Sequence, residues 1–173
     1  MRAMNTTTDP QLESLRLPPH SIEAEQSVLG GLLLDNSAWD RIADYLNQDD
    51  FYRFDHRLIY QHIAKLINSS RPADVITVYE SLQSVGKAEE IGGLTYLNAL
   101  AQNTPSAANI RHYAQIVRDR GILRRLITVS DEISSSAFQS QGKEVKQILD
   151  EAETNIFAIA EEGSRGTQGF QEI

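Results

Sequence analysis

The chain has 173 residues, 40% of them hydrophobic and 23% charged, a balance that supports a packed core and argues against wholesale disorder. Sixteen Lys and Arg stand against 24 Asp and Glu, a formal net charge of −8, so a general affinity for DNA phosphates is not the default. The absence of cysteine excludes a disulfide scaffold, an iron–sulfur site, a thiol nucleophile and cysteine-ligated zinc.

The longest apolar run, Val28–Leu34, is far short of the ~20 residues that span a bilayer. No apolar stretch of signal-peptide length opens the chain, so a soluble, cytoplasmic protein is expected.

Residues 1–17 are polar and read as a disordered arm, and Pro18-Pro19 stiffens the chain after it. Ser21 is placed as an N-cap, with Glu23 and Glu25 in the first turn, where the helix dipole favours acids. Ile22, Leu29, Leu32 and Leu33 continue at helical spacing. Gly30-Gly31 would weaken that helix by about 1 kcal/mol per glycine, which points to close helix packing or to a hinge or ligand loop. Asp35-Asn36-Ser37 ends the first helix and caps a second, striped by Trp39, Ile42, Ala43 and Leu46. A third helix starts near Asp55 and is broken at Ser69–Pro72. Asp74 caps a fourth over Val75, Val78, Tyr79 and Leu82, although Val75–Tyr79 also has strand propensity. Gly86 terminates it, and Leu94, Leu97 and Leu100 mark a fifth, shorter helix.

From Asn109 to Phe138 there is no proline and one glycine, and apolar residues recur at helical spacing. Thirty residues make a rod of about 45 Å. Gln139–Gly142 read as a tight turn, followed by a second rod that Gly163 is placed to stop. Two long amphipathic helices with so short a connection form an antiparallel hairpin. The fold class expected is all-α. A compact multi-helix head (18–104) precedes the hairpin (105–163), and 164–173 resemble the start of a linker.

Catalytic constellations are missing from this pattern. His20, His56, His62 and His112 form no i, i+4 metal pair, and there is no HExxH, GxSxG or GxGxxG. Gly86-Lys87 and Gly142-Lys143 lack the other residues of a phosphate loop, GxxxxGK[ST]. Acid pairs such as Asp49-Asp50 read as ordinary surface or capping residues. No catalytic, cofactor-binding or metal-binding residue is therefore assigned.

Charge separates the two rods. Residues 109–138 carry five Arg and three acids, whereas 143–162 carry two Lys and six acids. Arg118, Arg120, Arg124 and Arg125 cluster within eight residues. They read as a solvated face pairing with the acidic rod, as contacts for an acidic partner, or as a nucleic-acid patch lacking aromatics to stack on bases. A hairpin extending from a small head cannot bury both rods alone, so an oligomerisation or docking module is expected.

LPPHSIEAEQSVLGGLLLDN (17–36) resembles the opening of bacterial replicative DNA helicases of the DnaB type. The likeness continues through DDFYRFDHRLIYQHI (49–63), PADVITVYESL (72–82), IGGLTYLNALAQNTPSAANI (91–110) and HYAQIVRDR (112–120). The resemblance implies the N-terminal domain of a longer protein, joined by a linker to a RecA-like ATPase that uses ATP and Mg. Six such chains form a ring on single-stranded DNA. Their N-terminal domains form a collar, a trimer of dimers, that receives the C-terminal domain of primase, and a helicase loader is a further implied partner. This chain, lacking the motor, is expected to hydrolyse no ATP. The implied interface role falls on Ile122, Leu126, Ile127 and Ile133 of the first rod and Ile148, Leu149 and Ile156 of the second. Arg118, Arg120, Arg124 and Arg125 are the candidate polar partner contacts. The competing reading is an independent helical adaptor or single-stranded-DNA-binding module.

Overall fold

A computed structural model describes residues 17–168. Residues 1–16 of the arm expected over 1–17 and the last five residues of the expected linker lie outside them. All regular elements among the described residues are helical: α1 (Ile22–Leu34), α2 (Trp39–Ile42), α3 (Phe54–Asn68), α4 (Val75–Ser84), α5 (Gly93–Asn103), α6 (Ile110–Phe138) and α7 (Val145–Gln168). Short 3-10 turns at Asn36–Ala38 and Gln48–Asp50 flank α2.

The caps work as local chemistry requires. Ser21 Oγ accepts from the Ala24 N–H at 3.2 Å. Asp74 and Thr77 form a reciprocal capping box, which commits Val75–Tyr79 to helix despite its β-branched composition. Gly86 adopts φ +72° and lets the Lys87 N–H reach back to the Leu82 carbonyl at 2.9 Å, closing α4.

α1 is the central helix of the head. Ala24, Val28, Leu29, Leu32 and Leu33 are buried, and α3, α5 and α6 pack around them. Its two glycines serve that packing. A Cβ on Gly30 would fall 2.8 Å from Thr104 Cβ and closer still to Thr104 Oγ1 and the Leu100 carbonyl. One on Gly31 would meet Ile110 Cδ1 at 3.2 Å. α1 can approach the end of α5 and the start of α6 only where it has no side chain.

The core does not end with α5. Ile110, Ala114 and Val117 on the first turns of α6 are buried in the same cluster. α6 is therefore a shared element: its base completes the head and the remainder projects to pair with α7.

Two details of the hairpin differ from the expectation. The connection is longer, because α7 begins only at Val145, with Gly142 in the left-handed region at φ +78°. And α7 does not stop at Gly163 but runs on to Gln168. Gly163 sits where α7 passes α6, its Cβ position 4.0 Å from Ile122 Cδ1, so the glycine belongs to a helix crossing and not to a helix end.

Candidate functional site: the hairpin and its attachment

The hairpin is fastened to the head by arginines. α6 approaches the 3-10 turn at Asp50 through Gly121, where a Cβ would lie 3.0 Å from Asp50 Cα and 2.8 Å from its Oδ1. Asp50 is 1% exposed. Its Oδ2 accepts from the Asn47 N–H at 3.0 Å and its Oδ1 from Arg125 Nη1 at 3.1 Å. Burial pushes the Asp50 carboxyl above the usual range, and the Asn47 and Arg125 hydrogen bonds oppose that shift. Arg125 Nε lies 2.9 Å from Glu162 Oε2 on α7. Arg124 donates to the Pro19 carbonyl at 2.7 Å and the Asp50 carbonyl at 2.6 Å, with its guanidinium over the Tyr52 ring. Arg118, itself buried, donates to the carbonyls of Tyr45 and Glu162. One group of three arginines thus ties together the head, α6 and α7.

Arg118 and Arg125 do pair with the acidic rod, at Glu162, but with Arg124 they are also drawn onto the head and do not form a solvated face or free partner contacts. Their fork-shaped donors are used on backbone carbonyls and on Asp50, a role suited to arginine's fixed planar geometry. Arg120, half-buried, takes no part in this clasp.

A second polar group holds the head beside the clasp. Glu25 is 1% exposed and accepts from the Tyr52 N–H at 2.9 Å and the Arg53 N–H at 3.4 Å. His56, 0% exposed, joins Glu25 Oε1 through Nδ1 at 2.9 Å and the Tyr96 hydroxyl through Nε2 at 2.6 Å. His20 stacks on Tyr52 with ring centroids 4.3 Å apart. Glu25, expected to act on the helix dipole, and Asp50, expected as a surface or capping acid, are instead buried acceptors between elements. No local spacing marks either residue. The lone Gly121 within a long helix was the available signal, since a mid-helix glycine usually marks a close approach.

Beyond Gly121 the character changes. No residue from Ile122 to Ser164 is buried. Ile133 and Ile148 line one cleft between the rods, together with Ala152 and Asn155, and Ile122 meets α7 at Gly163. These three of the predicted interface residues belong to the seam inside the hairpin. Leu126, Ile127, Leu149 and Ile156 are 40%, 46%, 63% and 47% exposed. Leu123, Phe138, Val145 and Phe157 are exposed with them. At about 100° per residue, the outer stripes of α6 and α7 are both displaced from the seam in the sense of increasing residue number. In antiparallel helices that puts them on the same side of the hairpin.

Among the described residues, no three His, Asp or Glu side chains come together as a metal site. No helix there is long and apolar enough to cross a membrane.

Comparison with known proteins fits this architecture. The family described as "DnaB-like helicase N terminal domain" matches residues 17–119, covering the head and the first turns of α6 as far as Asp119. The replicative DNA helicase DnaB of Pasteurella multocida is 49% identical over 162 residues, 94% of this chain and 35% of that protein. The chain thus spans about a third of the length of such relatives. The crystal structure of the N-terminal domain of DnaB helicase from Mycobacterium tuberculosis superposes with a TM-score of 0.79 at 36% identity, over 82% of this chain and 99% of that one. The N-terminal domain of DnaB helicase from Helicobacter pylori, described with its interactions with primase, shares the fold with a TM-score of 0.59 at 23% identity, over 66% of this chain and 89% of that one. The match to the family over residues 17–119, more than half of the chain, places the chain in the DnaB-like helicase N-terminal domain family.

Proposed function

We propose that the chain is the collar part of a ring-shaped replicative DNA helicase, pairing subunits and docking primase through α6 and α7. ATP and Mg chemistry, single-stranded DNA and a helicase loader then belong to the longer protein, and this chain hydrolyses no nucleotide. The observation that carries the reading is the outer hairpin, which has large exposed apolar side chains and no buried residue of its own from Ile122 to Ser164. Large apolar side chains left exposed together on one side of a hairpin suit an interaction site. It suits recognition of helix by helix, as in groove-docked amphipathic helices. The Helicobacter pylori domain of the same fold interacts with primase, which supports primase as the partner.

The clasp weighs against the alternative of an independent single-stranded-DNA module. Three of the four clustered arginines are engaged within the molecule, so that cluster does not offer a basic track to a phosphate backbone.

Sedimentation of the 173-residue chain, alone and with the C-terminal domain of primase, tests the proposal. Concentration-dependent self-association and a heavier species with primase are expected. A strictly monomeric chain that leaves primase unshifted would overturn it.

A further inference from the structure

The clasp holds α6 and α7 with unequal bonds. On the α6 side Arg125 Nη1 donates to the buried carboxylate of Asp50, and Arg124 donates to two backbone carbonyls. On the α7 side Arg118 and Arg125 both end on one residue, Glu162. Its carboxylate is half-exposed, and the buried Arg125 Nε faces it at 2.9 Å, out of line for a hydrogen bond. Its carbonyl lies inside α7, which runs on to Gln168, so the helix's own i→i+4 bond stays when Arg118 lets go. Arg118 in turn keeps the Tyr45 carbonyl. A polar cleft of about 180 Å³, lined by Asp44, Tyr45, Asn47, Asp50 and both arginines, borders Glu162, so water can reach the donors that Glu162 leaves.

We infer that Glu162 is a releasable latch. The last turns of α7 open from the base of α6 by breaking its two contacts, while Arg118, Arg124 and Arg125 keep α6 fastened to the head. An ion pair between two partly exposed side chains is weak and is screened by salt, so this half of the clasp yields before the half built on Asp50. Gly163, next in the chain, brings no side chain to the seam at Ile122 that would hold the turn closed. The geometry makes the two ends of the clasp separable: α7 can lift without loosening the joint between head and α6. Under the collar reading, on which only this use of the latch rests, a displacement of the chain beyond Gln168 reaches Glu162 before it reaches the head.

Amide exchange of the full chain tests the latch, read over the last turns of α7 and over the base of α6 from Ala114 to Arg125. Glu162→Gln should speed exchange in the α7 turns by about two- to fivefold, the loss of one partly exposed ion pair, and leave the α6 amides unchanged. The direction of the change is diagnostic. By the helix dipole alone, removing an acid near a helix C-terminus would slow exchange there. Glu161→Gln, at an exposed neighbour outside the clasp, supplies that comparison and should not speed exchange. Raising salt from about 0.05 to 0.5 M should speed the α7 turns of the parent chain and add nothing in Glu162→Gln. Exchange that is unchanged or slowed in Glu162→Gln, equal acceleration in Glu161→Gln, acceleration shared by the base of α6, or a salt response that survives in Glu162→Gln would overturn the inference. None of these readouts involves self-association or primase, so a chain that shows neither overturns the collar reading and leaves the latch standing.

Discussion

Between Val28 and Val117 the apolar stripes of several helices close on one another, whereas from Ile122 to Ser164 they close on one side only. The helical periodicity is equally regular in both regions, so periodicity alone does not tell a self-sufficient core from an interface. What distinguishes them is how many neighbours each helix has. α1 is surrounded by α3, α5 and α6, but beyond its clasped base α6 has only α7. The clasp of Asp50 with Arg118, Arg124 and Arg125 marks the border between these regimes.

The sharpest way to break the head is at its tightest point. Gly30→Ala forces a Cβ into Thr104 and the Leu100 carbonyl. We expect a loss of about 2–3 kcal/mol, as for overpacked cores, even after the ~1 kcal/mol that alanine gains in helix propensity. Urea unfolding followed by circular dichroism measures it. A variant as stable as the parent would mean that α1 and α5 can part without cost.

The border itself comes next. Asp50→Ala removes the acceptor of Arg125 and opens the contact at Gly121, and should cost about 2 kcal/mol, less than a fully buried pair because Arg125 is partly exposed. Its signature should be regional. Amide exchange in α6 beyond Gly121 should accelerate while the amides of α1 stay protected. Uniform acceleration in both helices would show that the clasp stabilises the head as a whole and does not anchor the hairpin.

This border is also where the sequence stops being legible. The caps at Ser21 and Asp74, the stop at Gly86 and the two rods follow from local chemistry, because each cap or turn bonds to residues a few positions away. The clasp partners are far apart in the chain: Arg124 and Pro19 by 105 positions, Arg125 and Asp50 by 75. Nothing in the neighbourhood of an arginine says that its acceptor arrives from another element. The same holds for Glu25 and His56, 31 positions apart, whose separate readings as dipole acid and unassigned histidine hide a buried hydrogen bond. Of the predicted interface, periodicity identified the apolar residues. It left open which line the seam and which face outward, since adjacent stripes on one helix differ by a quarter turn.

A smaller effect concerns pH and is confined to the head. His62 Nδ1 and Ser81 Oγ share a 2.7 Å hydrogen bond between α3 and α4. Burial, with a contribution from Lys65, holds the imidazole below its ordinary value of 6.5. A depressed histidine favours the folded state above the unfolded value, and that stability is lost as pH falls through 6.5 toward the folded value. Its slope is at most about 1.4 kcal/mol per pH unit for one site. His62→Gln should flatten the fall in urea midpoint between about pH 7 and 5.5. An unchanged slope would assign that pH dependence to other groups.

The smallest effect on stability should come from the outer hairpin, and there the comparison becomes sharpest. Ile127 is 46% exposed on α6, so Ile127→Asp removes little buried surface and should change the stability of the single chain by no more than about 0.5 kcal/mol. In an assembled pair the same aspartate would be desolvated without a partner, which costs several kcal/mol and should abolish self-association at micromolar concentration. Ile133 lines the cleft inside the hairpin, so Ile133→Asp should instead destabilise the hairpin before any partner arrives, by about 1–3 kcal/mol. Sedimentation velocity and urea unfolding on both variants give two numbers each. The expected pattern is crossed: association lost with stability kept for Ile127→Asp, and stability lost for Ile133→Asp. If Ile127→Asp associates as the parent does, the α6 stripe is not the pairing surface. If Ile133→Asp keeps parental stability, the seam contributes little, and the two rods are held together mainly at their arginine-clasped base.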